Sequence, residues 1–431
     1  MRSQLSQTIA CIALLGTAVG SVVNDQQVNL TLLVVLLAFT LTFVLGDISR
    51  LSYRVISPYV WFLLATVPGT ILYLLRGSPL LVPMQQYIGV LVFWLVVLNI
   101  FRYQRYSPDS IFLLYLRCAK LAACIGIAQQ IAYLLDVEIL YDLRWVLIGV
   151  GNLDVSGSYL RVHSLFTEPS YFAAFLMPAL YFSILRLIGS SKFLGLGWSM
   201  IFIIALLCTF STIGYIGLIL CILFALRLSF RHVLISAMVV LTLLTVASVS
   251  PVISSRVSSI SDVITGGLGG DENLSVLVNA LNLNIAKNML SEYPTFGLGV
   301  GAYRVYSTPY LEDFVAGDEN LMARVKDQLE QFTLTDGGSM YLRLSTELGI
   351  AGCLLFVFFM LRGRSQQVSV QHRDIAKAAL LFIVVFSLRS GQLGRFDFIF
   401  FCALYSLIWV KNLCLEGSNF RKIVNKGKQN D

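Results

Sequence analysis

Charge is scarce in this sequence. Only 13% of its 431 residues are Asp, Glu, Lys or Arg, while 57% are hydrophobic; an ordinary soluble chain carries about 25% charged residues. That shortage excludes a water-soluble globule, a disordered chain and a nucleic-acid binder of the charge-rich kind. Histidine is almost missing, with three residues, so a histidine-built metal centre has little to draw on. The acid pairs Asp271-Glu272, Glu312-Asp313 and Asp318-Glu319 read first as solvated loop acids. Neither a metal nor a cofactor is expected. All eight cysteines lie in or beside apolar runs and none in a long outer loop, which argues against a disulfide framework or a Cys-ligated zinc site. Internal repeats and low-complexity tracts are also lacking.

What is present is apolar sequence in lengths that suit a bilayer, about 17–25 residues per run. Twelve runs stand near 5–23, 28–45, 56–75, 86–101, 111–135, 166–188, 194–209, 212–227, 232–251, 340–361, 375–391 and 397–413. A single helix over 194–227 would be about 51 Å long, too long for a hydrocarbon core of about 30 Å, so two spans broken at Thr209-Phe210-Ser211-Thr212 are expected. The predicted fold is an all-α polytopic membrane protein of about twelve transmembrane helices.

Lysine and arginine set its orientation. The short connections 46–55, 102–110, 189–193, 228–231 and 362–374 carry Arg50, Arg54, Arg102, Arg105, Lys192, Arg231, Arg362, Arg364 and Arg373. All fall on one side when spans alternate, together with Arg2 and the basic tail 414–431. Both termini are therefore expected in the cytoplasm, and the net charge of +7 is a topological signal. The segment Met1 to Val23 leads straight into Asn24-Asp25-Gln26-Gln27 and another apolar run, so an uncleaved first helix is expected over a secretory signal. The water-exposed mass is then outside: 136–165, within the membrane unit 1–251, and the large loop 252–339, before the last membrane unit 340–413. An extracytoplasmic site has no nucleotide pool, which disfavours nucleotide-dependent chemistry.

In the large loop, Leu274, Leu277, Val278, Leu281, Ile285 and Met289 recur at helical spacing, predicting an amphipathic helix. Leu321, Val325, Leu329 and Phe332 predict a second. Three clusters carry candidate chemistry. The first is Arg161-Val162-His163-Ser164-Leu165-Phe166-Thr167-Glu168-Pro169-Ser170. Thr167 or Glu168 suits a helix cap with Pro169 in the first turn; equally, Glu168 suits a general base or a sugar-orienting group, and arginine binds diphosphate bidentately. The second is Gly297-Leu298-Gly299-Val300-Gly301-Ala302-Tyr303-Arg304, either a plain turn or a backbone cradle for an anion with Arg304 supplying charge. The third runs from Asp336 through Gly337, Gly338 and Ser339 to Arg343 and Glu347. Arg343 and Glu347 either pair with each other or mark a site, because ionisable groups near a bilayer edge are costly without partners. Arg256, Arg389 and Arg395 add cations to the same outer face, for a lipid headgroup or a substrate.

The hydrophobic bundle with Arg-x-x-Ser-x-Phe-x-Glu-Pro-Ser at one outer loop, Pro-x-x-Gly-x-Gly in the large loop and a helix reading Glu-Leu-Gly-Ile-Ala-Gly resembles the bacterial Wzy-type O-antigen polysaccharide polymerases, relatives of the O-antigen ligases. The likeness is architectural over most of the chain and lies in motifs at about 160–175, 292–304 and 336–352. Ligases usually carry a His-Asn pair before the Glu-Leu-Gly helix; Gly338 and Ser339 stand there instead, which favours polymerase over ligase and leaves Glu168, Asp336 or no protein group as the base. The resemblance implies a GT-C-like architecture in the bacterial inner membrane with a periplasmic site. It implies metal-independent glycosyl transfer between undecaprenyl-diphosphate-linked oligosaccharides in surface polysaccharide (lipopolysaccharide, capsule) biosynthesis. The lipid diphosphate would be both anchor and leaving group. Arg161 and Arg304 are the first expected diphosphate ligands, with Arg256, Arg343, Arg389 and Arg395 behind them and His163 and Glu347 beside the substrate. Tyr159, Tyr171, Tyr303 and Tyr341 are the rings expected to stack on sugars. Expected partners are the lipid-linked donor and acceptor, the bilayer, a chain-length regulator and a flippase, with no nucleic acid. A lipid-oligosaccharide flippase or other carrier is the main non-enzyme alternative. Reporter fusions within 102–110 and at the C-terminus should score as cytoplasmic and one within 252–339 as external; the reverse pattern would invert every assignment above.

Overall fold

A computed structural model describes residues 53–143, 155–156, 159–191, 193–225, 274–315, 337–362 and 369–408. The expected spans 5–23, 28–45 and 232–251, the second amphipathic helix, Arg256, Asp336 and the basic tail lie outside the described residues. Within them the chain is mostly helical, with twelve helices. These are α1 (Tyr53–Leu75), α2 (Leu81–Tyr103), α3 (Pro108–Leu134), α4 (Glu138–Tyr141), α5 (Pro169–Leu187), α6 (Leu196–Leu207), α7 (Thr212–Ala225), α8 (Leu274–Glu292), α9 (Ala302–Val315), α10 (Met340–Arg362), α11 (Val370–Arg389) and α12 (Phe396–Ile408). A two-residue antiparallel ladder, β1 (Val155–Ser156) with β2 (Tyr159–Leu160), pairs Val155 with Leu160 and Ser156 with Tyr159. Four helices, α2, α3, α5 and α10, are long and apolar enough to cross a membrane.

Helix α5 is the hub. Every residue from Pro169 to Leu185 is buried, the signature of a helix that is apolar all round and packed on all sides. It lies against α3, α6, α7 and α11. Pro178 in its middle would leave a gap in the hydrogen-bond ladder, and Tyr115 of α3 enters there: its hydroxyl donates to Phe175 O at 2.7 Å and accepts from Ala179 N at 3.3 Å. A neighbouring side chain thus bridges the Phe175 carbonyl and the Ala179 amide, as an apolar environment requires.

The apolar run 194–227 breaks where its length predicts. Helix α6 closes at Leu207 and α7 opens at Thr212, with Ser211 Oγ accepting the Gly214 amide at 3.3 Å as an N-cap. The turn is protected by protein, since Thr209 and Ser211 are both buried. Helix α6, however, has 12 residues, about 18 Å of helix, and does not by itself cover a core of about 30 Å.

Polar contacts gather at the two ends of α11. At its start Asp109, in the segment 102–110, bonds His372 Nε2 at 3.0 Å and Gln371 at 2.8 Å, while Lys377 reaches Phe224 O at the end of α7 at 3.3 Å. At its other end Arg389 meets Glu168 at the start of α5. The 20 residues between make about 30 Å of helix, the thickness of a hydrocarbon core.

Helix α10 covers the expected span over 340–361 but bends within it. Gly349 has φ 63° and ψ −163°, a region open essentially to glycine alone. The chain turns so sharply there that the rings of Tyr341 and Phe356 come within 6.1 Å, whereas 15 residues of straight helix would set them about 22 Å apart along the axis. The bend abolishes two helical bonds, from the amides of Ile350 and Ala351 to the carbonyls of Thr346 and Glu347. The segment 294–299 replaces them from both sides. Pro294 O accepts the Ile350 amide at 2.8 Å and Thr295 O the Ala351 amide at 3.1 Å, while Leu298 N donates to Thr346 O at 2.9 Å and Gly299 N to Glu347 O at 2.8 Å.

That segment is held by a second, smaller core of Leu281, Ile285, Met289, Leu298, Tyr303 and Leu311 with Tyr73 of α1. Of the face of α8 read from the sequence, Leu281, Ile285 and Met289 are buried here and Val278 packs against them. Helix α9 was not foreseen: it holds Pro309 and its apolar face is built largely from tyrosines. The pair α8–α9 also grips the α1–α2 turn, where the Arg76 guanidinium lies 3.9 Å from the Tyr293 ring centroid and Ser78 bonds the Tyr306 hydroxyl.

Gly349→Ala should lower the thermal midpoint of the detergent-solubilised protein markedly, because a Cβ would sit 2.6 Å from Thr295 C and O on a backbone strained by about 1–3 kcal/mol for other residues. Gly89→Ala, with open space around it, should not; equal midpoints would refute the buried bend.

Candidate functional site

The first cluster resolves in an unexpected way. Glu168 occupies the N-cap position of α5 with extended backbone, φ −143° and ψ 150°, yet its side chain makes no capping bond. Its carboxylate turns instead to Arg389 at the end of α11. Ser170 joins the pair: Arg389 Nε donates to Ser170 Oγ at 2.8 Å, and that hydroxyl donates to Glu168 Oε2 at 3.0 Å. Burial disfavours the ionised form of Glu168, but Arg389 outweighs it, helped by Ser170 and Arg395, and the carboxyl titrates below its ordinary range.

Arg395 completes the group from the α11–α12 turn. It is buried, with Nε and Nη2 on the two oxygens of Asp397 at 3.1 and 2.9 Å. Such bidentate pairing fixes the guanidinium plane. Asp397 Oδ1 also accepts the Phe398 amide at 2.9 Å, within the first turn of α12. Both guanidiniums sit over the Tyr171 ring, Arg389 at 5.0 Å and Arg395 at 4.4 Å from its centroid, an arrangement favoured by the ring quadrupole. Two cations, two carboxylates, a hydroxyl and an aromatic ring from three elements therefore meet at one end of the bundle.

Beside them lies the third cluster. Arg343 and Glu347 pair through Nε and Oε1 at 3.0 Å, both buried, and Arg343 Nη1 donates to Gly391 O at 2.9 Å. Gly391 belongs to the turn that carries Arg389 and Arg395, so the two clusters share a backbone. Ser339 Oγ donates to Ser387 O at 3.0 Å near the same end of α11. The glycine cluster turns its backbone towards a group of this chain: the amides of Gly301 and Tyr303, at the start of α9, lie towards the Glu347 carboxylate, of which Oε1 is bonded to Arg343 and Oε2 makes no hydrogen bond.

The other expected residues lie elsewhere or deeper. Arg161 is partly buried near the Tyr215 phenol of α7, and the next residue, Val162, donates its amide to Cys208 O at 3.0 Å. His163 is buried. The adjoining Ser164 is fastened to α3, its amide donating to Gln129 Oε1 at 2.6 Å and its hydroxyl to Ala122 O at 2.7 Å. Arg304 is exposed on α9. Tyr303, expected to stack on a sugar, is completely buried with its hydroxyl on Asn282 at 2.6 Å, so its ring has no face free for a ligand. Tyr341 is half-buried and Tyr159 exposed, the latter stacked on Phe210. Asp397 was not singled out from the sequence; its place two residues after an arginine in an apolar context was the available signal. Among the described residues no three His, Cys, Asp or Glu side chains lie close enough to hold a metal ion.

The chain matches no protein-family model, and no curated protein matches it.

The Glu168 pair has a pH signature. A carboxyl whose folded pKa is lowered stabilises the fold above its unfolded pKa, and that contribution is lost as pH falls through the folded value. Glu168→Gln should therefore melt below the wild type at neutral pH, and the two curves should converge only under acid conditions below the ordinary glutamate range. A gap that closes near neutrality would contradict the assignment.

Proposed function

We propose that this protein polymerises polyprenyl-diphosphate-linked oligosaccharide repeat units, the inner-membrane, periplasm-facing reaction implied by its likeness to the Wzy-type polymerases. The observation that supports it best is the gathering of Arg389, Arg395, Tyr171 and Glu168 at the bundle end expected to face outward. In the reaction a hydroxyl at the non-reducing end of the acceptor attacks the anomeric carbon of the donor. The bond from that carbon to the diphosphate oxygen breaks, the lipid diphosphate leaves with the electron pair, and the proton of the attacking hydroxyl passes through water to the departing diphosphate. Arginines at the departing oxygen lower the barrier by electrostatic stabilisation, and partly exposed Arg389 is better placed for this than buried Arg395. Glu168, ionised and held by Arg389, is a weak base; it suits orienting the attacking hydroxyl better than taking its proton. Arg161 and Arg304 remain proposed diphosphate ligands, with less geometric support than Arg389, and Asp336 remains a proposed alternative base.

One observation favours a second reading. A sharply bent helix with a buried Arg343–Glu347 pair is also a feature of carriers, whose sites lie at broken helices. Purified protein in liposomes, given a lipid-linked repeat unit without nucleotide, separates the readings. A ladder of products is expected. A single transfer to a lipid A core would select a ligase, and movement of the lipid-linked unit across the bilayer without bond formation would select a carrier. Arg389→Ala should reduce ladder formation by about a hundredfold or more while the protein still inserts, and Arg389→Lys should restore little of it, since lysine lacks the planar fork.

A further inference from the structure

Glu347 is fully buried and joins its own helix to the distant segment 299–303. Its own backbone carbonyl accepts Gly299 N at 2.8 Å, its carboxylate faces the amides of Gly301 and Tyr303, and Oε1 receives Arg343 Nε at 3.0 Å. The Arg343 guanidinium passes the connection on to Gly391 O at 2.9 Å. Gly391 stands between Arg389 and Arg395, so the height and tilt of this turn decide where both guanidiniums sit over Tyr171. The glycine loop also docks tightly from the α1 side, where a Cβ at Gly69 would lie 2.6 Å from Phe296 O. Little slack remains between the α8–α9 pair and the bend in α10.

We propose that Glu347 is a positioning residue that couples docking of the α8–α9 pair on the bend of α10 to the pose of the arginine-bearing turn 389–397. The proposal rests on the reading of the Arg389 cluster as the glycan-transfer site. It assigns Glu347 no contact with substrate. The carboxylate acts through Arg343: with the start of α9 in place, its charge is stabilised from one side by amide dipoles and from the other by the guanidinium, and Arg343 stays extended towards Gly391. Withdraw α9 and a buried carboxylate loses part of its stabilisation, which a low-dielectric site makes expensive; Arg343 must then follow the charge, and Gly391 loses its donor.

Hydrogen–deuterium exchange on the full-length protein in nanodiscs tests this without relying on activity. Glu347→Gln keeps the shape and removes the charge. Its peptides covering 389–397 should exchange roughly tenfold faster or more, the effect of losing one charge-assisted hydrogen bond, along with those covering 294–304. Gly301→Ala disturbs the same link from the opposite side, because a Cβ there would lie 2.6 Å from Val82 Cγ1 on a backbone at φ 83°; it too should speed exchange at 389–397, and it serves if Glu347→Gln does not fold. Faster exchange confined to 294–304 in both variants would overturn the coupling. In the ladder assay kcat should fall at least about tenfold with KM within about twofold, as expected when transition-state alignment rather than binding is lost. A rise in KM alone would make Glu347 a substrate ligand and overturn the proposal. If the wild type yields no ladder, the transfer reading fails while the exchange result still decides the coupling.

Discussion

A helix that breaks inside an apolar bundle must have its freed amides and carbonyls taken up by protein, because no water is at hand to do so. The bend at Gly349 imposes that condition on the rest of this molecule. Two donors and two acceptors are orphaned, and the segment 294–299 meets all four. To present carbonyls and amides in that order the segment must run alongside the bend at backbone distance. Side chains would bar that approach: a Cβ on Gly297 would lie 2.5 Å from Thr346 O. The succession of glycines is therefore a docking surface, and α8, α9 and the α1–α2 turn are arranged around it.

The same reasoning accounts for the polar groups at this end of the bundle. Glu347, Arg343, Arg395 and Asp397 are buried, and charged groups in such a setting persist only with well-aligned partners. Arg343 has Glu347 and a carbonyl, and Arg395 has both oxygens of Asp397, while Glu347 is bonded through Oε1 and not through Oε2. Arg389 and Glu168 are the more exposed members. The inner pairs are buried and the outer pair is partly exposed. A preorganised cation beside an accessible carboxylate is what transfer from a diphosphate leaving group would use.

Much of this was legible in the sequence. Periodicity marked α8 and its buried face, helix length forced a break between α6 and α7, and the cost of charge near lipid drew attention to Arg343, Glu347, Glu168, Arg389 and Arg395. Other features were not. In α9 the apolar face of Tyr303, Tyr306, Tyr310 and Leu311 is masked by the helix-breaking Pro309. Glu168 followed by Pro169 reads as a helix cap, and nothing nearby in the chain reveals that its partner stands 221 residues later. Tyr303 reads as a surface aromatic beside glycines and is in fact core.

The amino-acid order alone determined that the chain is a helical protein with membrane-length apolar segments, and that a few ionisable groups require partners. Both follow from properties local to the chain, helical repeat and the transfer cost of charge. Which groups pair, where α10 bends and which residues take up its orphaned backbone were decided by tertiary structure alone. Satisfying a buried charge or amide depends on which distant segment packs against it, and spacing along the sequence holds no record of that choice.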